Sequence, residues 1–178
     1  MTKEEIFERL KKGYEFKDDD GTRYRVTSDL VVSGKAKIYY VDVISNQMSQ
    51  PTSAAIKMGK NQGIVIRNME KLKLRGYTED EIMAIMAHEL GHLFSENQQV
   101  ERISNERALD EEIDSDTFAV EKCGIRPEVL ESALRKDYNF KMRQAESKKV
   151  PAEKVAKYKA EMEKRIANAK RLQQEIQR

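Results

Sequence analysis

The sequence predicts an α+β fold, a small sheet followed by helices, on three observations. Runs rich in β-branched and aromatic residues fall before residue 68, apolar residues recur at helical spacing from residue 78 onward, and the two patterns are segregated along the chain, not alternating. At 178 residues, 39% apolar and 36% charged, the chain can bury one good core and has the composition of a soluble globular protein.

Thr2 to Lys12 reads as a short amphipathic helix, with capping-box spacing between Thr2 and Glu5 and with Ile6, Phe7 and Leu10 on one face. Gly13 stops it. Tyr14 to Val26 reads as a hairpin around Asp20-Gly21, Lys37 to Ile44 as a strand, and Ser53 to Met58 and Gly63 to Arg67 as two strands joined by a glycine-flanked turn. Thr78-Glu79-Asp80-Glu81 is a second capping box. It opens a helix to about Ser95 with Ile82, Ile85, Met86, Leu90 and Leu93 at near 3.6-residue spacing. A further helix is expected over Val100 to Lys122, ending before Gly124, and a third from Pro127 through about Asp137. Pro151 to Gln177 reads as a long helix with Val155, Tyr158, Met162, Ile166, Ala169 and Ile176 on one stripe. The polar stretch from Ala145 to Lys149 divides the chain into residues 1–145 and a charged helical extension, 146–178.

No stretch approaches the roughly 18 apolar residues of a membrane helix, and the charged N-terminus lacks the apolar segment of a secretory signal. The single cysteine, Cys123, excludes an internal disulfide and points to a reducing, cytoplasmic compartment. The net charge of +2 hides an uneven distribution: residues 79–121 carry 13 acidic and 2 basic residues, whereas residues 122–178 carry 16 basic and 8 acidic. The basic C-terminal part answers the acidic middle, within the fold or between subunits, more readily than it answers nucleic acid.

The chemistry is concentrated at residues 88–92, His-Glu-Leu-Gly-His. Residues four apart share a helix face, so His88 and His92 can offer two imidazoles to one ion, as tetrahedral zinc requires. Glu89 can reach a water on that zinc and act as general base. Both histidines of the chain lie in this motif. Gly91 stands in mid-helix at a cost of about 1 kcal/mol relative to Ala, which close approach of another backbone segment would explain. A third ligand must be a carboxylate or the Cys123 thiol. Glu112 and Asp116 are again four apart. Glu112 is read as the ligand, and Asp116 as the acceptor for the ring N–H of His88.

A His-Glu-x-x-His helix followed 20 residues later by Glu-x-x-x-Asp resembles the gluzincin metallopeptidases. Glu79 to Leu93 and Glu112 to Gly124 resemble the family of the CAAX prenyl protease and HtpX, although in size the chain is closer to soluble minigluzincins. The resemblance covers about Ser53 to Lys136. It implies a zincin-like domain, one catalytic zinc, peptide-bond hydrolysis, and an edge strand (Ser53, Ala54, Ala55, Ile56) that takes extended substrate by β-augmentation. It also implies an oxyanion-stabilising His, Tyr or Arg. With no third histidine, Arg135, Tyr138 and Arg143 are the candidates. Two other readings compete: a cytosolic ImmA/IrrE-type protease acting on a repressor, and a non-enzymatic zinc-containing module in which the C-terminal helix binds a partner or a second copy.

Overall fold

The computed structural model describes residues 5, 15–17, 19, 21–30, 37–43, 52–60, 62–94 and 105–177. The helix expected at Thr2 to Lys12 lies, apart from Glu5, outside them. The chain forms two compact units, Met1–Gly76 and Tyr77–Arg178.

The first unit is a five-stranded sheet in the order β1-β2-β3-β5-β4, comprising β1 (Phe16–Lys17), β2 (Arg23–Leu30), β3 (Lys37–Val43), β4 (Ser53–Gly59) and β5 (Gln62–Arg67). The expected antiparallel pair is present: Phe16 of β1 pairs with Tyr24 of β2, and between them Gly21 has φ of 85°, a left-handed value that glycine adopts without Cβ strain. Strands β4 and β5 form the expected antiparallel pair, with Ala55 opposite Val65. The remaining strands join through β3, which runs antiparallel to β2 and parallel to β5. β3 and β5 lie side by side within the sheet, and their residues Ile38, Val41, Val43, Ile64 and Val65 are almost fully buried. A short helix the sequence reading missed, α1 (Met69–Leu74), follows β5. Its N-cap is Asn68, whose side chain accepts from the Lys71 N–H at 3.0 Å.

The second unit is helical: α2 (Glu79–Phe94), α3 (Asn105–Glu121), α4 (Pro127–Ser147) and α5 (Ala152–Ile176). The capping box at the start of α2 is reciprocal, with Thr78 N–H donating to Glu81 Oε1 at 2.9 Å and Glu81 N–H donating to Thr78 Oγ1 at 3.2 Å. Glu81 is buried and accepts from Ser132 Oγ at 2.9 Å and from Lys136, so α4 is tied to the first turn of α2. Helix α4 runs ten residues beyond Asp137. The stretch 138–147 contains no Gly or Pro, and its Lys, Met, Gln, Ala and Glu residues favour helix despite their polarity. The helix ends at Lys148 and Lys149, the latter at φ 51°. Helix α5 packs on α3 and α4 through a core of Val120, Leu130, Leu134, Met162, Ala169 and Leu172. The expected stripe is realised up to Ala169, and Leu172 continues it. Ile176 is 64% exposed, because the last turn of α5 extends past that core. No helix among the described residues is long and apolar enough to cross a membrane.

Candidate metal centre

Three helices of the second unit build the site. Helix α2 presents His88 and His92, one turn apart and both buried, with their rings 4.8 Å apart and nearly perpendicular. Helix α3 lies against α2 where Gly91 removes a side chain. A Cβ at Gly91 would stand 2.8 Å from Ser115 Cα and 3.0 Å from its carbonyl oxygen. The mid-helix glycine is therefore explained by backbone contact. Phe94 stacked on Phe118, with centroids 5.5 Å apart, fixes the same helix pair one turn farther on.

This close approach brings Glu112 between the two imidazoles. His88 Nε2 and His92 Nε2 are 3.1 Å apart, and Glu112 oxygens lie 2.9 Å from the first and 3.3 Å from the second. Zinc binds imidazole nitrogen at about 2.0–2.1 Å, and tetrahedral ligands at that radius are about 3.3 Å from one another. The two ring nitrogens stand at nearly the separation of neighbouring tetrahedral ligands, a different oxygen of Glu112 faces each of them, and one ligand atom from each of the three residues falls within 4.8 Å of the others. This N, N, O chemistry is that of a catalytic site with a fourth position left for water.

Behind this triad is a second layer. His88 Nδ1 is 2.7 Å from Asp116 Oδ1, and Asp116 is fully buried. Arg165, from α5, donates to the same carboxylate with two prongs, Nε to Oδ2 at 2.8 Å and Nη2 to Oδ1 at 2.9 Å. Its Nη1 lies 3.8 Å from Glu112 Oε2.

The electrostatics follow from this arrangement. Burial opposes charge on His88, but the Asp116 carboxylate and the bonds from Asp116 and Glu112 outweigh it and raise the imidazole to about 10. Burial would raise both carboxyls, yet Glu112 is held well below the usual range by bonds from His88 and His92, and Asp116 is held low by Arg165 and His88. The Arg165 guanidinium is disfavoured by burial but held charged by Asp116 and Glu112.

Of the other residues singled out from sequence, Glu89 is half-buried in α2 next to His88. Arg135 is exposed and pairs with Glu131 at 3.3 Å, Tyr138 stacks on Tyr158, and Arg143 is exposed near the end of α4. Cys123 is exposed just past α3, with desolvation raising its thiol, so nothing favours a thiolate there. Ser53, Ala54, Ala55 and Ile56 lie in β4, the last strand of the sheet order.

The sequence reading missed Arg165. Its signal was present: Tyr158, Met162, Arg165, Ala169 and Leu172 follow one another at spacings of 4, 3, 4 and 3. An arginine in that register falls on the core face and requires a buried carboxylate.

A model of Peptidase family M48 matches residues 27–116, just over half of the chain, and this segment contains His88, Glu89, His92, Glu112 and Asp116. No curated protein and no solved structure matches.

Proposed function

The chain belongs to peptidase family M48, a family of metallopeptidases, and from that premise we propose that it is a zinc metalloendopeptidase with His88, His92 and Glu112 as ligands and Glu89 as general base. The observation that carries this reading is the convergence of His88, His92 and Glu112, with the two Nε2 atoms 3.1 Å apart and Glu112 Oε2 and Oε1 at 2.9 and 3.3 Å from them, on the helix turn that also carries Glu89. Zinc bound there would polarise the scissile carbonyl and lower the pKa of a water from 15.7 to about 7.

The protein's own groups supply the rest. Asp116 accepts from His88 Nδ1–H, which leaves the Nε2 lone pair for the metal. Glu89 takes the proton of the attacking water and returns it to the leaving amine. Substrate enters in extended form and adds to the outer edge of the sheet along Ser53, Ala54, Ala55 and Ile56, where backbone groups supply affinity and alternate side chains supply preference. Folded helical sites are therefore poor substrates.

The test is cleavage of a diverse peptide mixture read by mass spectrometry, with zinc-loaded wild type beside Glu89→Gln. Cleavage by wild type alone is expected, with metal content equal in the two. Cleavage by Glu89→Gln at the wild-type rate refutes the assigned base.

A further inference from the structure

The residue that closes the metal centre from behind does not come from the segment the family model matches, which ends at Asp116. It is Arg165, on the last helix. Its side chain is 14% exposed and its partner Asp116 is fully buried. The two prongs engage both oxygens of Asp116, which fixes the carboxylate plane as well as its position. Oδ1 is the oxygen that also faces His88 Nδ1. A guanidinium has no acceptor, so Arg165 cannot satisfy the His88 N–H itself. It can only hold the acceptor that does.

The register that delivers Arg165 is pinned at the same level. One turn along α5, Asn168 donates to Thr117 Oγ1 at 3.3 Å, and Arg171 donates to Asn168 Oδ1 at 2.8 Å. Thr117 is the neighbour of Asp116 on α3. Two adjacent residues of the ligand helix are thus gripped by two polar residues of α5, while Met162, Ala169 and Leu172 pack around them.

We propose that Arg165 is a positioning residue of the metal centre: its fork fixes Asp116, Asp116 fixes the His88 ring, and the C-terminal helix is thereby part of the site. This rests on the metal-binding reading above and deepens it. Arg165 meets His88 on its Nδ1 side; its fork bonds Asp116 at 2.8 and 2.9 Å, whereas its approach to Glu112 Oε2 is 3.8 Å, beyond hydrogen-bond distance, so its role is exerted through Asp116 and not on substrate. A lysine at this position would keep the charge but, as a single ammonium, would not hold both oxygens in one plane.

The experiment is a competition titration of zinc against a chelating dye in the full-length chain. It compares wild type, Arg165→Met, Arg165→Lys, Asp116→Asn and the Arg165→Met/Asp116→Asn double variant, each with a thermal melt of the metal-free form. Wild type is expected to bind one zinc. Arg165→Met and Arg165→Lys should each weaken binding about ten- to hundredfold, the range for residues that orient a ligand. The double variant should bind no more weakly than Asp116→Asn alone, because both act through one chain of contacts. Wild-type affinity in Arg165→Met, full rescue by lysine, or multiplied losses in the double variant would overturn the proposal. If Arg165→Met does not fold, Arg165→Lys decides. Failure of wild type to bind zinc overturns the metal reading and this inference together, whereas tight wild-type binding with unaffected variants overturns this inference alone.

Discussion

Gly91→Ala sets two well-known effects against each other, and the contact with Ser115 decides the sign. In an exposed helix the substitution stabilises by about 1 kcal/mol, because glycine loses more backbone entropy on folding. Here the new methyl would meet Ser115 Cα at 2.8 Å, its carbonyl oxygen at 3.0 Å and its Cβ at 3.1 Å. Two of these atoms belong to the backbone of α3, so relief requires the helices to part by several tenths of an ångström. Overpacking of this kind costs about 1–3 kcal/mol. The net expectation is a loss of about 1–2 kcal/mol, or roughly 2–8 °C in Tm for a chain of this size. The same displacement moves Glu112 away from His88 and His92, which are in reach only at 2.9 and 3.3 Å. Zinc affinity should therefore fall along with stability. Thermal unfolding of the chelator-treated protein and a zinc titration measure the two effects separately. A Gly91→Ala protein that melts higher than wild type, with unchanged zinc affinity, would refute the claim that backbone contact explains this glycine.

The remaining expectations concern charge. In the metal-free protein His88 is raised from 6.5 to about 10, so its contribution to stability is fully present below pH 6.5 and is lost as pH climbs toward 10. Glu112 and Asp116 are lowered, so their contributions are present above the usual carboxyl range and are lost as pH falls beneath it. The urea midpoint of chelated protein should fall between pH 7 and 10, and a flat profile there would contradict the assigned contacts. Metal binding should release the His88 proton, so zinc affinity should rise with pH over the same interval, which titrations at pH 7 and 8.5 would check. Glu81→Gln removes a buried carboxylate that serves Thr78, Ser132 and Lys136 together. It should cost about 1–3 kcal/mol in unfolding free energy, and an unchanged melt would show that the clamp between α2 and α4 is dispensable.

The site's local spacing was legible in the sequence, whereas its long-range placement was not. His88 and His92, and Glu112 and Asp116, are pairs four residues apart on single helices, and helical geometry alone puts each pair on one face. Gly91 carried long-range information because its cost implied a neighbour. The neighbour's identity, Ser115, needed the fold. The same holds for the sheet. The β1–β2 and β4–β5 pairs are local and were readable from turn chemistry, whereas the parallel pairing of β3 with β5 joins segments about 25 residues apart with no turn to announce it. Polarity misled at residues 138–147, where solvated helix formers carry α4 beyond the end expected at about Asp137. It also concealed Arg165, because a basic residue in a basic helix suggests solvent until its register is compared with the apolar stripe.

The central claim is that two imidazoles and one carboxylate hold the metal. The most direct measurement is the zinc-edge X-ray absorption spectrum of the protein loaded with one equivalent of zinc. The account predicts a shell of nitrogen and oxygen at about 2.0–2.2 Å containing two imidazoles, with no sulfur. A sulfur contribution at about 2.3 Å would place Cys123 on the metal and contradict it.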